Sequence, residues 1–260
     1  MDRRDVLKSI GAGGVSIIGA TSMAAAEATD DHLERVLEDA RVQSIRDAVG
    51  GFEVRDTSIN LVETDELKVT GTWIETDLGL LTHGETEDGT TVAYLEFSDL
   101  ARNPDLRQRL PPEYRNVPRE TDVALYGHES SVSMVRSVTD QEQRQLKNVV
   151  PESNASFTVA TYSSDIDGYT VTTEGSRYRV GENGRGISPE HVEKVAVIQG
   201  CLSPCLQCAS WAAGKGICYL SCAAAKTVVG AVACVLCIAQ TNMSLIWAGP
   251  GCADCYNNCT

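Results

Sequence analysis

All ten cysteines of this 260-residue chain lie beyond position 200, at Cys201, Cys205, Cys208, Cys218, Cys222, Cys234, Cys237, Cys252, Cys255 and Cys259. The first two hundred residues contain none. So sharp a step means that two differently built polypeptides share one chain. The tail, residues 201–260, reads as a disulfide-stapled mini-protein. The front reads as a cysteine-free domain, and the length leaves room for a targeting segment as well.

Charge is divided in the same way. The formal net charge is -14 and the pI about 4.7. After Lys194 the only Lys, Arg, Asp or Glu residues are Lys215, Lys226 and Asp254. The acid is therefore a property of the front. Nucleic acid is excluded as a partner, because phosphate neutralisation needs clustered Lys and Arg. The acid fits either a salt-adapted surface or a domain that holds a cationic partner, and its spread along the segment rather than in a block favours the first.

Residues 1–28 read as an address. Arg3 and Arg4, followed by Leu7 and Lys8, form a twin-arginine pattern. An apolar, Gly-rich run over 9–20 follows, too short for a membrane span. Ala24, Ala25, Ala26 and Ala28 then offer small residues to a signal peptidase. The expected destination is outside the cell, where disulfides persist. The alternative use of the segment is an uncleaved anchor.

The front domain, 29–184, reads as α+β: one helix plus a mostly antiparallel sheet. Leu33, Val36, Leu37, Ala40, Ile45 and Val49 form one helical stripe, with Gly50-Gly51 as its stop. Beyond it the period shifts to that of strands, over 52–62, 67–76, 91–97, 123–126, 131–138, 156–162, 169–173 and 177–180. Asp88-Gly89 and Gly175-Ser176 read as hairpin turns. The proline-rich stretch 103–118 reads as a loop with a short helix. A second helix is possible over 139–149, capped by Thr139 or Asp140.

Chemistry is sparse in this domain. His32, His83, His128 and His191 share no metal-ligand spacing. There is no nucleophile elbow, phosphate loop or dinucleotide fingerprint. His128, Ser130-Ser131 and Asp122 could be imagined as a hydrolase site, but a polar strand end explains them more simply. The expectation is a domain that binds rather than transforms, with no catalytic residues, cofactor or metal.

In the tail the cysteines recur at steps of three and four, which puts them on helix faces. The residues between them are apolar or alanine-rich. The expected fold is small, disulfide-rich and mainly α-helical. Two cysteines on one face project side by side and rarely bond to each other, but a matching pair on a neighbouring helix can meet them. Cys201, Cys205 and Cys208 step by four then three, and Cys252, Cys255 and Cys259 by three then four. Antiparallel packing would align Cys201 with Cys259, Cys205 with Cys255 and Cys208 with Cys252. Cys218–Cys237 and Cys222–Cys234 would nest inside, one of many hundreds of pairings open to ten cysteines. Each bond typically adds about 2–4 kcal/mol to a fold too small to be stable alone. Metal or redox ligation is the rival use of these residues. Even parity, an exported context and the absence of histidine favour disulfides.

Taken together, Arg3-Arg4 with its apolar run, a cysteine-free acidic domain and a ten-cysteine tail opening at Gly200-Cys201 resemble the haloarchaeal microhalocin precursors of the halocin-C-eight type. The resemblance covers the full length as architecture and is specific in the tail. It implies export by the twin-arginine route and cleavage into two products. The C-terminal one would be an antimicrobial peptide acting on a target cell membrane or membrane protein. The N-terminal one would be an immunity-type protein that binds that peptide. The cut would fall in a linker, 185–200, with Arg185, Gly186, Lys194, Val195 and Gly200 marking the processing region. Two alternatives of other classes remain: an exported cysteine-ligated metal or redox protein, and an uncut secreted structural or adhesion protein.

Overall fold

The computed structural model describes residues 24–26, 30–63, 68–98, 100, 103–151, 159–173, 176–181 and 187–195. The ten cysteines, Arg3, Arg4, Leu7, Lys8, Arg185, Gly186 and Gly200 lie outside the described residues. Eleven strands run in chain order: β1 (Ala24–Ala26), β2 (Val54–Glu63), β3 (Lys68–Thr76), β4 (Gly79–Thr86), β5 (Thr91–Phe97), β6 (Val123–Gly127), β7 (Val132–Ser137), β8 (Val159–Ser163), β9 (Gly168–Thr172), β10 (Arg177–Gly181) and β11 (Val192–Val195). They form one sheet in which every strand pairs antiparallel with its neighbours in sequence. Antiparallel neighbours need no crossover; residues 98–122 join β5 to β6 and residues 138–158 join β7 to β8 by longer connections. The α+β reading with an antiparallel sheet therefore describes this part of the chain.

The helices differ from expectation in number. The single helix expected over the first stripe is two helices, α1 (Asp30–Glu38) and α2 (Ala40–Ala48). Asp39 splits them. Its backbone leaves the helical region (φ -56°, ψ 132°), and its carboxylate accepts the Arg41 N–H at 2.8 Å, capping α2. Gly51 N–H closes α2 onto Arg46 C=O at 2.7 Å, where the glycine pair was expected to stop it. A six-residue α3 (Pro104–Arg109) occupies the proline-rich stretch. The possible second helix is present as α4 (Asp140–Val149), and Thr139 is its cap. Thr139 Oγ1 accepts the Glu142 N–H at 3.1 Å, while Glu142 accepts the Thr139 N–H at 2.8 Å, a complete capping box.

Register determines what each face carries, because directly paired residues share a face. The pairs Ile74–Leu81, Leu81–Leu95, Leu95–Leu125 and Leu125–Met134 define one face. Against it pack α1 and α2, through Val36, Val42 and Ile45. Further along the same face, Tyr162, Tyr169, Val171, Tyr178 and Val180 follow by register. There Leu146 and Val150, at the end of α4, close a second core. Each fully buried Leu or Ile contributes roughly 1.5–3 kcal/mol.

Gly89 sits at φ +81° in the β4–β5 hairpin, a conformation that costs glycine nothing, so Asp88-Gly89 turns the chain as expected. Three strands depart from the sequence reading. β4 carries Gly79 and Gly84 and is buried on both faces over much of its length, which erases alternation. β11 lies inside the stretch expected to be linker. Its Val192 and Val195 pair with Val180 and Arg177, so residues 192–195 belong to the sheet. Ala24–Ala26, placed in the leader by sequence, pairs with Ile59–Leu61 as the opposite edge strand. No helix among the described residues is long and apolar enough to cross a membrane.

Candidate functional site

The meander brings together residues that the sequence separates. His83 on β4 lies opposite Thr72 on β3, on the helix-bearing face. Above it sits Asp39, placed there by the break between α1 and α2. His83 Nε2 and Asp39 Oδ2 are 3.6 Å apart, with side chains 5% and 18% exposed. That separation suits an ion pair more than a hydrogen bond, and Nε2 has no hydrogen-bond partner. Burial pushes the His83 pKa below its usual value, and the Asp39 carboxylate only partly offsets this. His32 on α1 completes the cluster. Its Nδ1 accepts from Arg35 at 2.8 Å, which leaves Nε2 to donate to Thr72 Oγ1 at 3.0 Å. Burial and the Arg35 charge both lower its pKa as well. Arg41 lies 3.8 Å from both Asp39 and Glu129.

Chemically this is a clamp. The His83 imidazole lies beneath the Asp39 carboxylate, where the helix break meets the sheet. His83 Nε2 meets no hydroxyl at hydrogen-bond distance, and among the described residues no group of three or more His, Cys, Asp or Glu is placed to hold a metal ion. His128 does meet a hydroxyl, Ser133 Oγ, at 3.0 Å. Asp122, however, sits at the other end of β6 from His128, roughly 20 Å away along an extended strand. Those two side chains cannot form one catalytic relay.

The clamp gives the domain a pH dependence of definite sign. The native pKa of His83 is below its unfolded value of about 6.5. Just below that value the unfolded chain binds more protons, so stability falls as pH falls through the window and is intact above it. The urea midpoint is therefore expected to drop between about pH 7.5 and about pH 5.5. His83→Gln should flatten that drop, leaving the residue due to His32, whose shift has the same sign. An equal drop in the variant would show that His83 is not its source.

A second polar cluster anchors α4. Arg136 on β7 makes two bonds to Glu142, at 2.7 and 2.8 Å, and Tyr169 OH donates to Glu142 at 2.9 Å. The guanidinium lies 4.6 Å from the Tyr162 ring centroid. An open pocket of about 320 Å³ adjoins it, lined by Glu120, Thr139, Gln141, Glu142, Gln145 and Tyr169. With the Thr139 N–H included, the Glu142 carboxylate accepts four bonds, which fills its lone-pair capacity. It has nothing left to offer a ligand, so the cluster fastens the helix.

The third feature is the last edge. β11 pairs with β10 on one side, and no strand among the described residues pairs with its other side. Of the expected processing residues, Lys194 and Val195 sit here, opposite Tyr178 and Arg177. Lys194 Nζ lies 5.9 Å from the Tyr178 ring centroid. Glu193 and Lys194 charge this edge, which discourages pairing with another chain. The sequence named Lys194 and Val195 for a cut; the structure gives them a place in the ladder. Asp39, Arg136 and Glu142 escaped the sequence reading, and His83 was considered there only as a metal ligand, since no fixed spacing joins them. No protein-family model, no curated protein and no solved structure matches this chain.

Proposed function

We propose that the chain is an exported precursor of a disulfide-stabilised antimicrobial peptide. The peptide is the cysteine-rich segment 201–260, and the cysteine-free domain before it is an immunity-type partner that binds it and protects the producer. One observation carries this reading. Among the described residues the last strand of the sheet closes at Val195, and the first cysteine follows at Cys201. The last described strand of the cysteine-free domain and the step in cysteine content thus lie within a few residues of each other. Two modules joined in that way suit release of one from the other. Because residues 192–195 are paired in the sheet, which protects their backbone from proteases, the cut is expected beyond them, in 196–200.

The test has two parts. Intact mass of the secreted cysteine-containing species, before and after reduction, should show a small peptide starting between 196 and 200 with five disulfides. That peptide should kill a sensitive halophilic archaeon, and killing should vanish when the cysteine-free product is added at equal molar amount. Killing that persists undiminished would refute the immunity role. A single uncut chain with free thiols or bound metal would refute the precursor reading.

A further inference from the structure

Both cores lie on one face of the sheet, and every strand residue in them shares the parity of Leu81 and Leu125. The opposite face is set by the pairs Trp73–Thr82, Thr82–Tyr94 and Tyr94–Tyr126. It is apolar and aromatic, and Tyr94 stacks on Tyr126 at 5.4 Å. It is also buried: Trp73 is 3% exposed, Val92 2%, Tyr94 1% and Val135 8%. Yet none of these residues belongs to either core, and the core residues of α1, α2 and α4 all pack on the other side. Something else covers the middle of this face.

We infer that the cover is the cysteine-rich segment 201–260, seated over β3 to β9 on the face that carries Trp73, Tyr94 and Tyr126. This rests on the reading that the front domain binds the tail, and it names the surface. Reach permits it. Residues 196–200 span at most roughly 17 Å from the end of β11. The centre of the sheet, at β6, is five strand spacings or roughly 24 Å from β11. A sixty-residue segment tethered so closely covers that distance readily. Composition agrees, because the tail is apolar with two lysines and one aspartate, and the face under it carries Trp73, Val92, Tyr94, Tyr126 and Val135 among uncharged Thr82, Ser133, Thr161 and Thr170.

Two other covers fit less well. The apolar run over 9–20 would be roughly 18 Å long even as a helix, whereas β3 to β9 span six spacings, roughly 29 Å. A sheet curled on itself would bury the flanks of the face where its ends met. Ser58 on β2, Arg179 on β10 and Glu193 on β11 share this parity and are exposed.

The test uses the full chain. A photo-reactive benzophenone amino acid is placed at Tyr94, and separately at Trp73, with exposed Val54 as the control position. After illumination, the attached peptides are identified by mass spectrometry. Adducts within 201–260 from both positions are expected. Adducts on other strands of the sheet, adducts within 1–23, or none at all would overturn the inference. A second measurement needs no substitution. The front domain has no cysteine, so reduction acts on the tail alone. Oxidative footprinting of the wild-type chain should show Trp73 and Tyr94 protected before reduction and modified several-fold faster after it. Unchanged protection would count against the tail as cover. Failure here is distinguishable from failure of the proposed function. A domain that neutralises killing without these adducts binds by another surface, whereas adducts without neutralisation leave the contact and remove the immunity role.

Discussion

Arg136→Met is expected to lower the stability of the front domain by about 3 kcal/mol, read as a fall in urea midpoint at unchanged slope. Arg136 and Glu142 are 7% and 15% exposed at the side chain, so both ions have left bulk water. Their attraction offsets that cost only while both are present. Removing the guanidinium leaves a carboxylate served by the Thr139 N–H and the Tyr169 hydroxyl alone. Methionine keeps some packing beneath Tyr162, so the loss isolates the charge. The double variant with Glu142→Leu should recover part of the loss, because a matched apolar pair leaves no buried ion behind. A loss in the double variant equal to the sum of the two single losses would show the pair to be uncoupled. The pH response gives an independent check. Burial raises the Glu142 pKa, but Arg136, the Thr139 N–H and Tyr169 together hold it below the usual glutamate range. A depressed carboxyl contributes stability above its unfolded pKa and loses it as pH falls through the folded one. Arg136→Met should therefore be less acid-sensitive than wild type in that range, although weaker at neutral pH.

Local signals in the sequence carried the helices and most strands. Thr139, one of two cap candidates, announces α4, and Asp88-Gly89 announces a hairpin, because each is a contact between near neighbours. Asp39 shows the limit of periodicity. The apolar stripe runs through it from Leu33 to Val49, yet a side chain able to cap its own backbone breaks the helix there. β4 was hidden because burial on both faces removes the alternation that marks a half-buried strand. β11 was hidden because four residues, two of them charged, carry too little pattern. The clamp of His83 and Asp39 was beyond reach for a different reason. It depends on how a helix break settles over a strand, and only register fixes that. The covered face also follows from register. Trp73, Tyr94 and Tyr126 each look like ordinary strand residues until pairing shows that they share a side, and that the helices do not.

Gly127→Ala is the most informative backbone change, because it separates the two faces. A Cβ at this position would lie 2.1 Å from the Arg41 carbonyl oxygen and 2.8 Å from its carbon. Both atoms are main chain of α2, so no side-chain rotation relieves the clash. α2 must move away from β6, taking Val42 and Ile45 out of the core and Asp39 off His83. The expected cost is on the order of 3 kcal/mol, at the upper end for overpacking, or roughly 6–12 °C in Tm for a domain of this size. Gly181→Ala is the control. Its Cβ would meet only the His191 Cβ, at an ordinary 3.7 Å, so stability should change by less than about 1 kcal/mol. Function gives the sharper contrast. Gly127 projects toward the helices, while the face assigned to the cysteine-rich segment points the other way. Chains of Gly127→Ala that remain folded at low temperature should therefore neutralise the peptide with unchanged affinity. A variant that stays folded but no longer binds would place the binding surface on the helix side, at α2, and not on the face of Trp73 and Tyr94.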